Sequence, residues 1–439
     1  MACALRIRNS KKMKYKKINP VFFKNNRKRL LDLLPDKSFV ILFSAEEQHR
    51  NGDQNYPYRQ NSDFFYFTGI EQEKSILILQ KSKNKTSEIL FILKPNPKLE
   101  TWEGKKLRKN QASAISGIKT IFYLDETSDA LETNFIKNTE LSEFIFSNTN
   151  NKKNFTQKIK QAVGINTSKT YQLLKNKQFG NVNKFSTTLR LIKQPEEIEL
   201  IKHAIKITQK AFERILKKIK PKLKEYELEA ELIYEFTKNG ASGHSFAPII
   251  AGGKNACSLH YVKNDDTLKN GDLVLLDFGC EYANYASDCS RTIPVNGKYT
   301  KRQKDIYNAV LRVQQKAIKL YIPGNTINNI NSYVNNLMID ELIKLNLIDK
   351  YSKQKDIDLR KYFMHGTAHF MGLDVHDVGS KDIKFKKGMI LTCEPGIYIE
   401  NENIGIRIEN DILVDDKPVD LMKNIISNPD KIEKFINNN

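Results

Sequence analysis

No apolar run in this sequence approaches the ~18–20 residues that a helix needs to cross a bilayer, which excludes an integral helical membrane protein. Cysteine is scarce. Cys3, Cys257, Cys280, Cys289 and Cys393 form no C-x-x-C pair and no even framework, so a disulfide-stapled scaffold is excluded. Four of the five sit in apolar or motif-adjacent surroundings, where a reduced thiol serves as a small core residue; a reducing cytosol suits them best. There is no secretory hydrophobic segment and no repeat of fixed short period. Acids are missing from the first 31 residues, which hold eleven Lys and Arg. Residues 1–19 therefore read as a disordered basic extension, with Met13 as a second start. Mitochondrial targeting is the lesser alternative to a cytoplasmic location.

What is present belongs to a globular protein of two or three domains: 439 residues, 40% apolar and 28% charged. The net charge of +21 invites a nucleic-acid reading. Its lysines, however, are spread along the whole length and form no single stripe, which argues against one. Residues 20–34 read as a short amphipathic helix and Ser38–Ser44 as a buried strand. Arg59-Gln60-Asn61-Ser62-Asp63-Phe64-Phe65-Tyr66-Phe67-Thr68-Gly69 reads as a turn and an aromatic strand. Strands at 75–79 and 88–93 complete the start of a small α/β domain over residues 20–180. The lone tryptophan, Trp102, falls in a loop over 97–104. A linker is expected over 181–194. From Pro195 a long helix follows, acidic in its first turn and lysine-rich before Pro221, then a second over 225–238. Glycine-punctuated strands run to Gly297, two helices cover 301–321 and 326–346, and strands return at 388–399 and 404–414.

Three of the seven histidines, His365, His369 and His376, fall within twelve residues. Four acids stand out on apolar strands: Asp277 after Leu273-Val274-Leu275-Leu276, Asp288 eleven residues later, Glu394 after Met389-Ile390-Leu391-Thr392-Cys393, and Glu409 beyond Ile404-Gly405-Ile406-Arg407-Ile408. A buried carboxylate must be paired, protonated or bound to metal. Arg407 and Glu409 share strand parity and point to one face. Four carboxylates and one imidazole suit hard or borderline dications, Mn²⁺ first, with Co²⁺, Fe²⁺ or Zn²⁺ as alternatives. Two such ions would roughly neutralise the acids, acidify a bridging water and polarise a scissile carbonyl. The His365/His369 spacing matches a zincin helix, but the intervening glutamate is missing and Gly366 opposes a helix.

The order Asp277, Asp288, His369, Glu394, Glu409 resembles the ligand set of the pita-bread metallopeptidases, which include methionine aminopeptidase, prolidase and aminopeptidase P. The run Arg59–Phe64, the Trp102 segment, Gly271–Arg291 and the histidine stretch are most similar to bacterial-type aminopeptidase P, from about residue 20 onwards. The resemblance implies an α+β chain: a pita-bread catalytic domain over 195–439 behind a smaller α/β N-terminal domain. It also implies removal of the first residue from peptides with proline second, by a hydroxide held between two metal ions. Asp277 would chelate one ion, Asp288 and Glu409 would bridge both, and His369 and Glu394 would complete the other ion's ligand shell, with Glu394 also the general base. His260 and His376 would steady the carbonyl and the oxyanion. His365 and Arg407 would line the proline side, and Trp102 would help close the site, in some members from a neighbouring subunit. Peptides are the implied partners, with no nucleic acid or membrane, and a homodimer or homotetramer is expected. A prolidase-type dipeptidase is the alternative in the same fold, and a non-catalytic binding relative is a lesser one.

Overall fold

The computed structural model describes residues 15–83, 85–124 and 128–438. Residues 1–14 of the expected extension, with Cys3, lie outside the described residues. Tyr15 and Lys16 do not continue a free tail: the Tyr15 ring meets Tyr282 edge-on and the Lys16 N–H donates to the Tyr282 hydroxyl at 3.2 Å. The chain divides into a unit over Ile18–Arg190 and a second over Leu191–Asn439, which also includes residues 15–17. Among the described residues no helix is long and apolar enough to cross a membrane.

The N-terminal unit is built on a six-stranded mixed sheet. Its central strand, Ser38–Phe43, is buried at every position and pairs antiparallel with Ile76–Ser82 and parallel with Phe144–Ser147. A run buried on both faces reads as continuous apolar sequence, as this one does. Ser62–Thr68, expected as a strand, is a helix. Asn61 caps it by accepting from the Phe64 N–H, and Gly69 ends it at φ +66°. Trp102 likewise lies on a short helix, Pro97–Glu103, and not in a loop. The expected linker over 181–194 contains the helix Asn183–Leu191.

In the C-terminal unit α1 (Pro195–Lys218) starts with proline at its first position and glutamates in its first turn, and ends on lysines that complement its dipole. Its buried face includes Ile201, Ala204, Phe212 and Ile215. An antiparallel sheet follows, of β1 (Ile249–Gly252), β2 (Leu273–Phe278) and β3 (Cys289–Pro294), with Asp277 opposite Ile249 on one side and Ser290 on the other. Between β2 and β3 the chain reverses at Ala283 and Asn284, both at positive φ, the pattern of a tight primed hairpin turn. Gly279 permits that return: a Cβ there would lie 1.7 Å from the Ser287 carbonyl oxygen. Further on, β4 (Ile390–Cys393) pairs with β7 (Asn410–Leu413), while β5 (Gly396–Ile399) pairs with β6 (Ile404–Arg407). Glu394 and Glu409 occupy the two breaks where the chain passes from one ladder to the other. Two helices beyond the sequence reading, Lys355–Tyr362 and Pro429–Asn437, complete the unit.

Candidate metal and peptide site

One cavity of about 380 Å³ in the C-terminal unit is lined by Asp277, Asp288, His369, Glu394 and Glu409, together with His260, His365, His376 and Arg407. The backbone explains the convergence. β2 and β3 run side by side, so Asp277 and the residue just before β3, Asp288, come to the same end of the sheet. The histidine stretch runs extended along β4: Thr392 N–H donates to His369 O at 3.0 Å and Glu394 N–H to Thr367 O at 2.9 Å. That register sets the His369 ring beside Glu394. On the far side, Glu409 N–H donates to Ser290 O at 3.1 Å, which ties the second break to β3.

Three potential ligands, Asp288, His369 and Glu409, place donor atoms all within 4.8 Å of one another. His369 Nε2 lies 3.4 Å from Asp288 Oδ2 and 3.7 Å from Glu394 Oε1. Asp277 gives one oxygen to Arg407 Nη2 at 2.6 Å, and its other oxygen, Oδ1, is buried with no hydrogen-bond partner. A buried carboxylate oxygen without a donor, beside three more acids and an imidazole, is what a hard dication requires of its site. The set contains no thiol, so it fits oxygen-seeking ions.

The electrostatics agree. Burial raises Asp288 to about 6 and Glu394 to about 7, and raises Glu409 well above the carboxylate range, the neighbouring acids adding to each shift. Burial opposes charge on His369, but its hydrogen bond to Asp288 and the Glu394 charge outweigh it and hold the imidazole at about 9. His365 goes the other way, down to about 4, through burial and the Arg407 charge. His376 is also lowered, by burial and by His369, whose ring it meets edge-on with centroids 4.3 Å apart.

Trp102 is the one expected site residue outside this lining; it sits on the N-terminal unit, 88% exposed. Several residues of the site carry no warning in the sequence. The Tyr398 hydroxyl joins His365 Nε2 and Arg407 Nη1, each at 2.8 Å. Ser290 Oγ accepts from Arg407 Nε at 2.9 Å and donates to Glu409 Oε2 at 2.6 Å. Asp411, fully buried, accepts the Asp288 N–H at 3.3 Å. Phe246, Leu259 and Val375 give the cavity an apolar side.

Comparison with known proteins matches residues 199–416 to metallopeptidase family M24 and residues 23–142 to the aminopeptidase P N-terminal domain. An Xaa-Pro aminopeptidase of Haemophilus influenzae is 35% identical, over 89% of this chain and 91% of that one. Among solved structures, proline aminopeptidase P II from Yersinia pestis superposes with a TM-score of 0.87 at 32% identity, covering 96% of this chain and 100% of that chain. A zinc-substituted Escherichia coli aminopeptidase P in complex with product superposes with a TM-score of 0.88 at 32% identity, covering 96% and 99%.

Proposed function

The chain belongs to the Xaa-Pro aminopeptidases of metallopeptidase family M24, an aminopeptidase P N-terminal domain followed by a pita-bread catalytic domain, and from that premise we propose that it releases the N-terminal residue from peptides with proline in second place. The observation that carries the reading is the single cavity that gathers four carboxylates and His369 beside three further histidines and Arg407. The relatives in hand favour this activity over the prolidase-type alternative.

Asp277, Asp288, His369, Glu394 and Glu409 would hold two divalent ions. When bound, these supply Lewis acidity towards the scissile carbonyl and the attacking water. A donor set of carboxylates with one imidazole supports Mn²⁺. Glu394, on the cavity lining with Oε1 3.7 Å from His369 Nε2, is suited by position to take a proton from water and pass it to the departing proline nitrogen. His260 and His376 both line the cavity and would donate to the developing oxyanion. His365, lowered to about 4 and thus neutral, and the buried Arg407 share Tyr398 and line the proline side. An Xaa-Pro bond has no N–H on the leaving side, so a shaped pocket must replace a backbone grip. Trp102 as a closing residue, a homo-oligomer and a cytoplasmic location complete the reading; the buried free thiols of Cys280, Cys289 and Cys393 support the last.

The test is hydrolysis of Arg-Pro-Pro against an Xaa-Pro dipeptide. Release of arginine from the tripeptide, lost with a chelator and restored by Mn²⁺, is expected. Cleavage of the dipeptide alone, or undiminished activity in Asp288→Ala, would overturn the assignment.

A further inference from the structure

Outside the cavity, beneath the loop that carries two of its histidines, Lys193 Nζ and Asp377 Oδ2 form an ion pair of 3.0 Å with both side chains 1% exposed. Neither residue lines the cavity. A buried pair contributes little net stability, because desolvating two charges costs about as much as their attraction returns; its best attested use is to fix one arrangement among several. Asp377 directly follows His376. Its own N–H donates to Phe370 O at 2.8 Å, and Gly372 N–H donates to Asp374 O at 3.0 Å, so residues 370–377 close on themselves with the ion pair at their base. Lys193 is tethered in turn, its N–H donating to Gly388 O at 2.8 Å just ahead of β4. Gly372 O accepts from Ala286 N–H at 2.9 Å, two residues before Asp288. The pair therefore anchors the end of the loop that presents His376, while the backbone bond from Ala286 joins the same loop to the Asp288 segment.

Gly372 shows how closely the two charges are packed. A Cβ on it would lie 2.2 Å from Asp377 Oδ2 and 2.8 Å from Lys193 Nζ. The loop has a glycine where only a hydrogen leaves room for the pair.

We propose that Lys193 and Asp377 are positioning residues for the hydrolytic reaction, holding His376 against His369 at the cavity wall. The proposal rests on the peptidase reading above and adds to it two residues that touch neither substrate nor metal. His376 sits in the closed loop outside any strand, and the pair ties the base of that loop to Lys193, whose backbone is bonded to Gly388 just ahead of β4.

The test uses the full chain with Mn²⁺ and Arg-Pro-Pro, comparing Lys193→Met, Asp377→Asn, His376→Ala and the combination of Lys193→Met with His376→Ala. In the single pair variants kcat falls by roughly 10- to 100-fold, as for other groups that orient a site from behind, while KM and bound metal stay at parent values. On the His376→Ala background the Lys193 substitution adds little, because residues acting through one another are not additive. A pair that only holds the fold together would cost the same factor in both backgrounds, and that result overturns the proposal, as does full kcat in either folded single variant. Should both single variants fail to fold, the combination of Lys193→Met with Asp377→Leu removes both charges at once. Folded but slow, it supports positioning; folded and fast, or unfolded, it refutes it. A parent chain inactive on the peptide would instead sink the peptidase reading itself.

Discussion

In the first turn of α1, Glu197 is 1% exposed, and burial lifts its carboxyl to about 7 against the opposing Lys193 charge and the Tyr285 hydroxyl 3.1 Å away. Its folded pKa therefore exceeds the ordinary glutamate value of 4.5, and the native state holds the proton more tightly than the unfolded chain does. The stability this contributes is complete below about pH 4.5 and is lost as pH climbs through 7. At about 1.4 kcal/mol per pKa unit it amounts to about 3 kcal/mol. Glu197→Gln keeps the shape without the titration, so urea unfolding of the metal-loaded protein at about pH 5 and pH 7 separates them: the parent weakens, the variant much less. Equal slopes would show that Glu197 is not the group responsible. At this scale the sequence signals were uneven. Asp277 and Glu394 stood out because a carboxylate among Leu, Val and Ile breaks the pattern of a buried strand. Tyr398, Ser290 and Lys193 did not, since a phenol, a hydroxyl or a lysine after a helix is ordinary until its partner is known, and His365, Glu409 and Asp377 are remote from them in sequence.

At the level of elements, close approach of backbones sets what the strands tolerate. β6 runs against the short helical turn Gly253–Cys257, and a Cβ on Gly405 would lie 2.2 Å from the Ala256 carbonyl oxygen. Backbone atoms cannot swing aside as a side chain can, so Gly405→Ala should destabilise the protein by about 1–3 kcal/mol, as overpacking does elsewhere. A denaturation midpoint equal to the parent's would refute this. The strands of the C-terminal unit were legible because their apolar runs are bounded by glycine, aspartate and proline. The helix Ser62–Thr68 was not: all seven residues are buried, so no face alternates and aromatic content alone suggested a strand. Its true signals were the flanking Asn61 cap and Gly69 stop. The segment expected as a linker contains the helix Asn183–Leu191 and the division between the two units, and beyond that helix Lys193 pairs with Asp377 inside the C-terminal unit.

For the whole molecule, what stands out is the group of buried acids at one cavity, of which Asp288, Glu394 and Glu409 are raised by burial and by neighbouring acids. A ligand that binds only the folded form stabilises it by RT ln(1 + [L]/Kd), or about 2.7 kcal/mol at a hundredfold excess over Kd. Mn²⁺ should therefore raise the melting temperature of chelator-treated protein by several degrees, read by calorimetry. Coincident melting curves with and without the ion would contradict the assigned ligands. The two-domain order of the chain was visible in its sequence, because each half carries its own pattern of strands and helices. The closeness of Asp277 to Arg407 was not, since it follows from which ladders the strands join.

That closeness also has a consequence in time. Asp277 is made more than a hundred residues before Arg407 and Glu409, the groups that surround it in the finished cavity. Its neighbour Arg291 is fully buried and donates to the carbonyls of Glu409, Ile425 and Ile426, still later in the chain. At roughly 5–20 residues per second, on the order of ten seconds of synthesis separate the first ligand from the last. During that interval the growing chain carries no hydrolytic centre. A peptidase assembled in this way cannot act on the nascent chains around it until the segment that carries Arg407 and Glu409 has been made.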